Sequence, residues 1–312
     1  MHTVEQQKAI DIVIDYIEKN LESTLSLQTL AAVSTYSPYH FQRIFKAAIG
    51  ETPANYIKRL RMEKAAHLLI YEYSIPVTQI ALICGFSSLS YFTSSFQSYF
   101  EMSPSKWREG GYLQHFPREY ADHSKISKLN RNMQQEKSYS TKYNRFQWLN
   151  LEKVKVTEFP VCTTVKRQSI GSYTQGIPEV WEDLYRLGSA HELIDKTSLL
   201  FGIPKNNPYI TPPEKSRYEC HLAISSKDAI QGENISTFAG GKHVVYEFEE
   251  AVEYENRKML IECYSELYSF WLPGSGYKYL DNPIELVELT NVQGSLEVRS
   301  KIKAIALAIE PK

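Results

Sequence analysis

Tyr39, Gln42, Arg43 and Lys46 recur at intervals of three and four residues and share one side of a helix, opposite Phe41, Ile44, Phe45 and Ala48. A phenol, a carboxamide, a guanidinium and an ammonium on one polar face are the groups that hydrogen-bond base edges in a major groove and the phosphates beside it. His40 adjoins that face and suits helix packing or a phosphate contact better than a base contact. About fifty residues later, Ser90, Thr93, Ser94 and Gln97 offer hydroxyl and amide groups from a second helix, without a positive charge.

The elements that would hold these residues are written twice. In the first copy Leu27, Leu30, Ala31 and Val33 form a short apolar helix and Ser34 to Tyr36 a turn. Ser37 then serves as N-cap, with Pro38 at the first helical position. In the second copy Ile80, Ala81 and Ile83 build the short helix and Cys84 to Phe86 turn on Gly85. Ser87 or Ser88 caps a helix buried through Phe92, Phe96 and Tyr99. Ala31 matches Ala81, Tyr36 matches Phe86, and, with one residue added after the second turn, Phe41 matches Phe92 and Phe45 matches Phe96. Both copies read as helix-turn-helix units.

Pro53 to Tyr71 joins them without glycine or interior proline, with Ala54, Ile57, Leu60, Ala65, Leu68 and Leu69 among helix formers. Eighteen or so residues at about 1.5 Å each give a helix of about 27 Å, the order needed to set two reading helices about 34 Å, one DNA turn, apart. Val4 to Leu21 adds an amphipathic first helix with Ile10, Val13, Ile14, Ile17 and Leu21 inward.

On these residues the first third of the chain, about 5 to 110, resembles the DNA-binding domain of AraC/XylS-type bacterial transcription regulators. The resemblance rests on Tyr36 to Pro38, His40 to Arg43, Phe45 and Lys46 in the first copy, and on Ile80, Ala81, Gly85, Phe86, Phe92, Phe96, Phe100, Ser103 and Pro104 in the second. It implies double-stranded promoter DNA as partner and RNA polymerase as a second one. That family usually carries basic residues on the second reading helix and a glycine near its end; this chain has Ser94, Gln97, Ser98 and Glu101. The first helix is therefore expected to read bases strongly, and the second to fit shape and backbone.

Charge distribution agrees. The chain of 312 residues has a formal charge of −1, which excludes a globally basic, nonspecific nucleic-acid binder. From Thr24 to Arg108, however, eight Lys or Arg stand against four acids, an excess of +4. Residues 113 to 150 read as a polar basic linker, with seven Lys or Arg against three acids. The expected organisation is a DNA-binding domain over 1–112, the linker over 113–150 and a second domain over 151–312. Cys84, Cys162, Cys220 and Cys263 lack zinc or redox spacing, so no metal or cofactor is expected. No apolar run approaches the eighteen or so residues of a membrane span and no signal-peptide pattern opens the chain, so a cytoplasmic location is expected.

The second domain alternates strands (Val154–Phe159, Val161–Val165, Tyr218–Ile224, Lys242–Phe248, Ile284–Leu289, Lys301–Ile309) with helices around Trp181 to Leu187 and Glu255 to Trp271. Strand, helix and strands repeat, which predicts an α+β domain of two similar halves. The whole is thus a multi-domain chain, an all-α double helix-turn-helix domain followed by an α+β domain. Ser169 to Tyr173, Trp181, Gly202, Pro208 to Lys215, Arg217, Tyr218, Cys220, Trp271 to Pro273, Gly276, Tyr277 and Ile284 to Leu286 resemble the gyrase-inhibitor-like (GyrI-like) effector-binding domain. The resemblance implies an antiparallel sheet under two helices, with a ligand cleft whose floor is a carboxylate. Glu285, between Ile284 and Leu286, matches that carboxylate, and Tyr173, Trp181, Phe201, Tyr218 and Trp271 are the wall candidates. A carboxylate inside aromatic walls would favour a lipophilic, cationic small-molecule effector.

The alternative is catalysis, since a buried glutamate beside tyrosines could act as general base in hydrolysis of a small reactive compound. No Gly-rich phosphate loop or metal-spaced histidine cluster supports it, and Ser103 with Lys106 belongs to the end of the DNA-binding region. The sequence is expected not to encode an enzyme.

Overall fold

The structure of the protein, a computed structural model, describes residues 4–112, 149–194, 198–224, 233–280, 282–291 and 298–312. The chain divides into two compact units, residues 1–114 and 115–312. Of the expected linker only Leu149 and Asn150 fall among the described residues.

The first unit is helical: α1 (Val4–Lys19), α2 (Leu27–Ser34), α3 (Pro38–Ile49), α4 (Pro53–Tyr71), α5 (Val77–Ile83), α6 (Leu89–Phe100) and α7 (Pro104–Arg108). Local sequence sets the starts. Ser26, Ser37, Thr52, Ser88 and Ser103 each turn a side-chain oxygen back to accept the N–H of the third residue on, each cap contributing about 1 kcal/mol. Of the two serines before α6, Ser88 is the cap. Ile10, Val13, Ile14, Ile17 and Leu21 meet Leu30, Ala31, Phe41, Ile44, Phe45 and Tyr56 in one core. A second aromatic stack runs Phe92, Phe96, Phe100 and Trp107, and the Trp107 indole donates to the Ala66 carbonyl of α4 at 3.1 Å. Tyr99, expected inside, is 36 % exposed; the i, i+4, i+8 spacing that faces inward is Phe92, Phe96, Phe100.

The repeat is visible in the backbone. Tyr36 N–H donates to the Ala31 carbonyl at 3.2 Å, and Phe86 N–H to the Ala81 carbonyl at 3.0 Å. The turn residue before each is left-handed, Thr35 at φ 61° and Gly85 at φ 76°. The residue after each reading helix is left-handed too, Gly50 at φ 83° and Glu101 at φ 58°.

The second unit is an antiparallel sheet in the order β1-β6-β9-β8-β3-β4-β2-β5, with β7 on the end of β9. The strands are β1 (Lys155–Phe159), β2 (Cys162–Ile170), β3 (Leu200–Pro204), β4 (Arg217–Ile224), β5 (Ile235–Phe238), β6 (Gly241–Val252), β7 (Tyr277–Tyr279), β8 (Ile284–Asn291) and β9 (Val298–Pro311). Helix α8 (Ile177–Ala190) packs on β2, β4 and β9. Helix α9 (Arg257–Glu266) runs on as a π-helical turn, Leu267–Trp271. Strands β3, β5 and β7 have no counterpart in the sequence reading. In β3, which pairs with both β4 and β8, Gly202 and Pro204 break the strand signature.

Candidate functional site

On α3, burial of Phe41, Ile44 and Phe45 leaves Tyr39, Gln42, Arg43 and Lys46 exposed, Tyr39 at 83 %. His40 is half-buried, its ring 4.9 Å from that of Tyr36, and Arg43 Nη2 lies 3.4 Å from its Nδ1. One helix thus presents a cation, an amide, a phenol and a second cation outward from a rigid apolar seat. On α6, Ser90, Ser94 and Gln97 are exposed and Thr93 is half-buried. The Ser94 hydroxyl donates to the Tyr91 carbonyl at 3.1 Å within its own helix. Two apolar residues absent from the sequence-based candidates, Leu89 (44 % exposed) and Tyr91 (51 %), share the exposed surface of α6. Their signal was there: large side chains flanking Ser90 off the Phe92–Phe96–Phe100 stripe.

Between the two copies, α4 supplies polar clamps. Arg59 pairs with Glu51 at 2.7 Å and Glu63 at 3.1 Å and lies 5.0 Å from the centre of the Tyr56 ring. Arg61 donates to the carbonyls of Leu21 (3.0 Å) and Ser23 (2.7 Å), and its guanidinium sits where a side chain on Gly85 would be, 2.9 Å from the position of a Cβ.

In the second unit Glu285 is wholly buried. Its Oε2 accepts the Tyr218 hydroxyl at 2.7 Å and Arg257 Nη2 at 3.2 Å, while Oε1 accepts the Tyr264 hydroxyl at 3.2 Å and Arg257 Nη1. Because Tyr218 gives its proton to Glu285, the Tyr254 hydroxyl 3.0 Å away must donate to Tyr218; Tyr254 in turn accepts the Trp181 indole N–H at 2.8 Å. A relay thus runs from Trp181 through two phenols to the carboxylate. Arg257 lies 5.2, 5.9 and 5.7 Å from the ring centres of Tyr173, Tyr218 and Tyr254, within cation–π range. Burial opposes the Arg257 charge, yet the Glu285 carboxylate more than offsets it and raises the pKa. Burial pushes the Tyr173, Tyr218, Tyr254 and Tyr264 phenols up, so they stay protonated.

Four of the five aromatic-wall candidates divide cleanly by position. Tyr173, Trp181 and Tyr218 gather around Glu285, but Phe201 does not. In register Gly202 stands opposite Glu285 and Phe201 opposite Leu286, so alternation puts Phe201 on the other face of the sheet, stacked on His221 at 4.9 Å. The fifth, Trp271, closes the π turn, stacks on Tyr277 at 6.3 Å and does not join the cluster in any described contact. Gly202 has a steric role: a Cβ there would meet the Tyr218 hydroxyl at 1.8 Å, so the missing side chain lets the phenol reach Glu285.

Arg257, Tyr254 and Tyr264 were missed from sequence although a signal existed. Arg257 shares the apolar face of α9 with Leu260, Ile261 and Tyr264, and a cation on an apolar face demands a buried carboxylate. It also occupies the first turn of its helix, where the dipole disfavours positive charge, which strengthens that demand. On the opposite end of α9, the buried Glu266 accepts the N–H of Leu149 at 3.0 Å. The opposite sheet face carries another buried cluster. Glu219 lies 3.3 Å from Lys166 Nζ and 3.4 Å from His221 Nε2, and His221 Nδ1 lies 3.0 Å from the Thr164 hydroxyl.

Comparison with known proteins fits both units. A helix-turn-helix domain model matches residues 30–110, and a GyrI-like small molecule binding domain model matches residues 151–298. The chain is 38 % identical over 99 residues to the multiple antibiotic resistance protein MarA of Escherichia coli, covering 32 % of this chain and 77 % of MarA. It is 35 % identical over 109 residues to the probable transcription factor PqrA of Proteus vulgaris, covering 34 % of this chain and 88 % of PqrA. Among the described residues, no helix is long and apolar enough to cross a membrane. The chain is a DNA-binding transcription regulator that responds to a small effector, and it belongs to the AraC family, with a GyrI-like domain behind its double helix-turn-helix.

Proposed function

We propose that α3 is the principal reading helix, with Arg43 and Gln42 on base edges, Tyr39 on bases or the adjoining backbone, and His40 and Lys46 on phosphates. Helix α6 then fits the next groove through Ser90, Thr93, Ser94 and Gln97, with weaker base contact. The observation that carries this reading is the exposed face of α3, four polar side chains fixed by three buried ones on a capped helix. Effector binds at the Glu285 cluster, walled by Tyr173, Trp181 and Tyr218 and by the added Tyr254, Tyr264 and Arg257. The regulator works in the cytoplasm, contacts RNA polymerase at the promoter, and uses no metal or cofactor.

Catalysis at Glu285 is disfavoured by its hydrogen bonds. A general base needs a free lone pair within reach of a substrate proton, and four donors already occupy this carboxylate.

The test is selection of a binding site from random duplex DNA, followed by titration of Arg43→Ala against the selected site and its single-base variants. A bidentate base contact is worth about 1–3 kcal/mol, so the variant should lose about tenfold or more in affinity and discriminate less at one position. Full affinity in a folded variant rejects Arg43 as a reader.

A further inference from the structure

We infer that Arg257 is the resident cation of the Glu285 cage and sets the class of effector. The site takes an uncharged or anionic lipophilic molecule, and it turns cations away while Arg257 is in place. This rests on the reading of the cage as the effector site and departs from the cationic ligand expected of a lone buried carboxylate.

The argument is one of capacity. An ionised carboxylate offers about four lone-pair positions. In Glu285 two go to the Arg257 guanidinium, one to Tyr218 and one to Tyr264. The aromatic surfaces that would stabilise a bound cation already face one, since Arg257 lies within 6 Å of three tyrosine ring centres. An incoming monocation would have to evict a fully buried guanidinium and leave it unpaired, which costs more than the entering charge returns. Of the five N–H donors of Arg257, the one on Nε is unused. This nitrogen is buried with no hydrogen-bond partner among the described residues, so an acceptor oxygen on an uncharged or anionic molecule would complete it.

The test uses the full chain with two probes of similar shape, benzylguanidinium and the neutral benzylurea, read by thermal unfolding and calorimetry. Wild type should show no shift in Tm with benzylguanidinium. Arg257→Ala strips Glu285 of its counter-ion and lowers Tm; benzylguanidinium should restore more than half of that loss and bind at least about tenfold more tightly than to wild type, and benzylurea should not. Arg257→Ala/Glu285→Gln, which has no buried charge, should fold and ignore the cation. If Arg257→Ala does not fold alone, it is refolded with and without benzylguanidinium: recovery only with the cation supports the assignment, and no recovery overturns it. Tight binding of benzylguanidinium to wild type that disappears in Glu285→Gln also overturns it. These readouts involve no DNA, so their failure is separable from failure of effector-dependent DNA binding.

Discussion

A carboxylate without exposure to water keeps its charge only when donors replace every hydration contact, and around Glu285 each donor depends on a specific neighbour. Tyr218 reaches it only because residue 202 is glycine. Gly202→Ala should therefore displace the phenol, break the Trp181–Tyr254–Tyr218 relay and destabilise the second unit by about 2–3 kcal/mol, the cost of overpacking with a lost buried hydrogen bond. A fall in Tm together with weaker binding of effectors found by screening would check it; an unchanged Tm would refute the steric role. On the other sheet face burial holds His221 neutral, with its pKa lowered. Burial alone would raise the Glu219 pKa, but Lys205, His221 and Lys166 bring it well below the usual carboxylate range. The unfolded chain takes up a proton on His221 near pH 6.5 and on Glu219 near pH 4.3, in each case before the folded chain does. Stability should thus decline as pH falls through about 6.5 and decline further below about 4.3, and His221→Gln should flatten the first of these steps in Tm measured across pH. Residues were legible in sequence where helical spacing alone fixed their face, as for Arg43 and Lys46. Phe201 was misread because its face depends on a strand, β3, that Gly202 and Pro204 conceal.

At the level of elements, the two helix-turn-helix copies differ most at their left-handed turns. The first copy has Thr35 in the turn and Gly50 after the reading helix; the second has Gly85 in the turn and Glu101 after it. Each copy therefore places one side chain in a conformation that glycine adopts freely and a β-branched or charged residue does not. Glu101→Gly and Thr35→Gly should each stabilise the first unit by about 0.5–1 kcal/mol, the strain relieved less the added freedom of the unfolded chain. Urea midpoints that rise without a change in m-value would confirm this. Gly85→Ala should do the opposite, because alanine is strained at φ 76° and its Cβ would also displace the Arg61 guanidinium that anchors the loop after α1. The Ser37 cap and the helices of both copies were readable because capping and helical spacing are local chemistry, whereas the caps Ser26, Thr52 and Ser103 and the short α7 were not read. The β3, β5 and β7 strands were not, since short strands draw their identity from partners distant in the chain.

For the whole molecule, the relevant quantity is how charge is parcelled out. The chain carries −1 overall, yet Thr24 to Arg108 carries +4. DNA binding should consequently weaken steeply with salt, and Lys46→Ala should lower the slope of log K against log salt by about 0.9 while leaving sequence preference intact. An unchanged slope would remove Lys46 from the phosphate contacts. The division into two units and the class of each were legible because each has its own periodicity, 3.6 in one and mainly 2 in the other. The internal pairing of Glu285 was not, because Arg257 comes from another element and only packing brings the two together.

Helix α9 has Arg257 at one end and Glu266 at the other, about 14 Å apart along its axis. The first end grips the carboxylate in the cage, and the second grips the main chain at Leu149, the first described residue of the second unit. An effector seated in the cage, as proposed, would meet the same helix that holds Leu149. Thermodynamic reciprocity then requires traffic in both directions: whatever factor an effector imposes on promoter affinity, promoter DNA must impose on effector affinity.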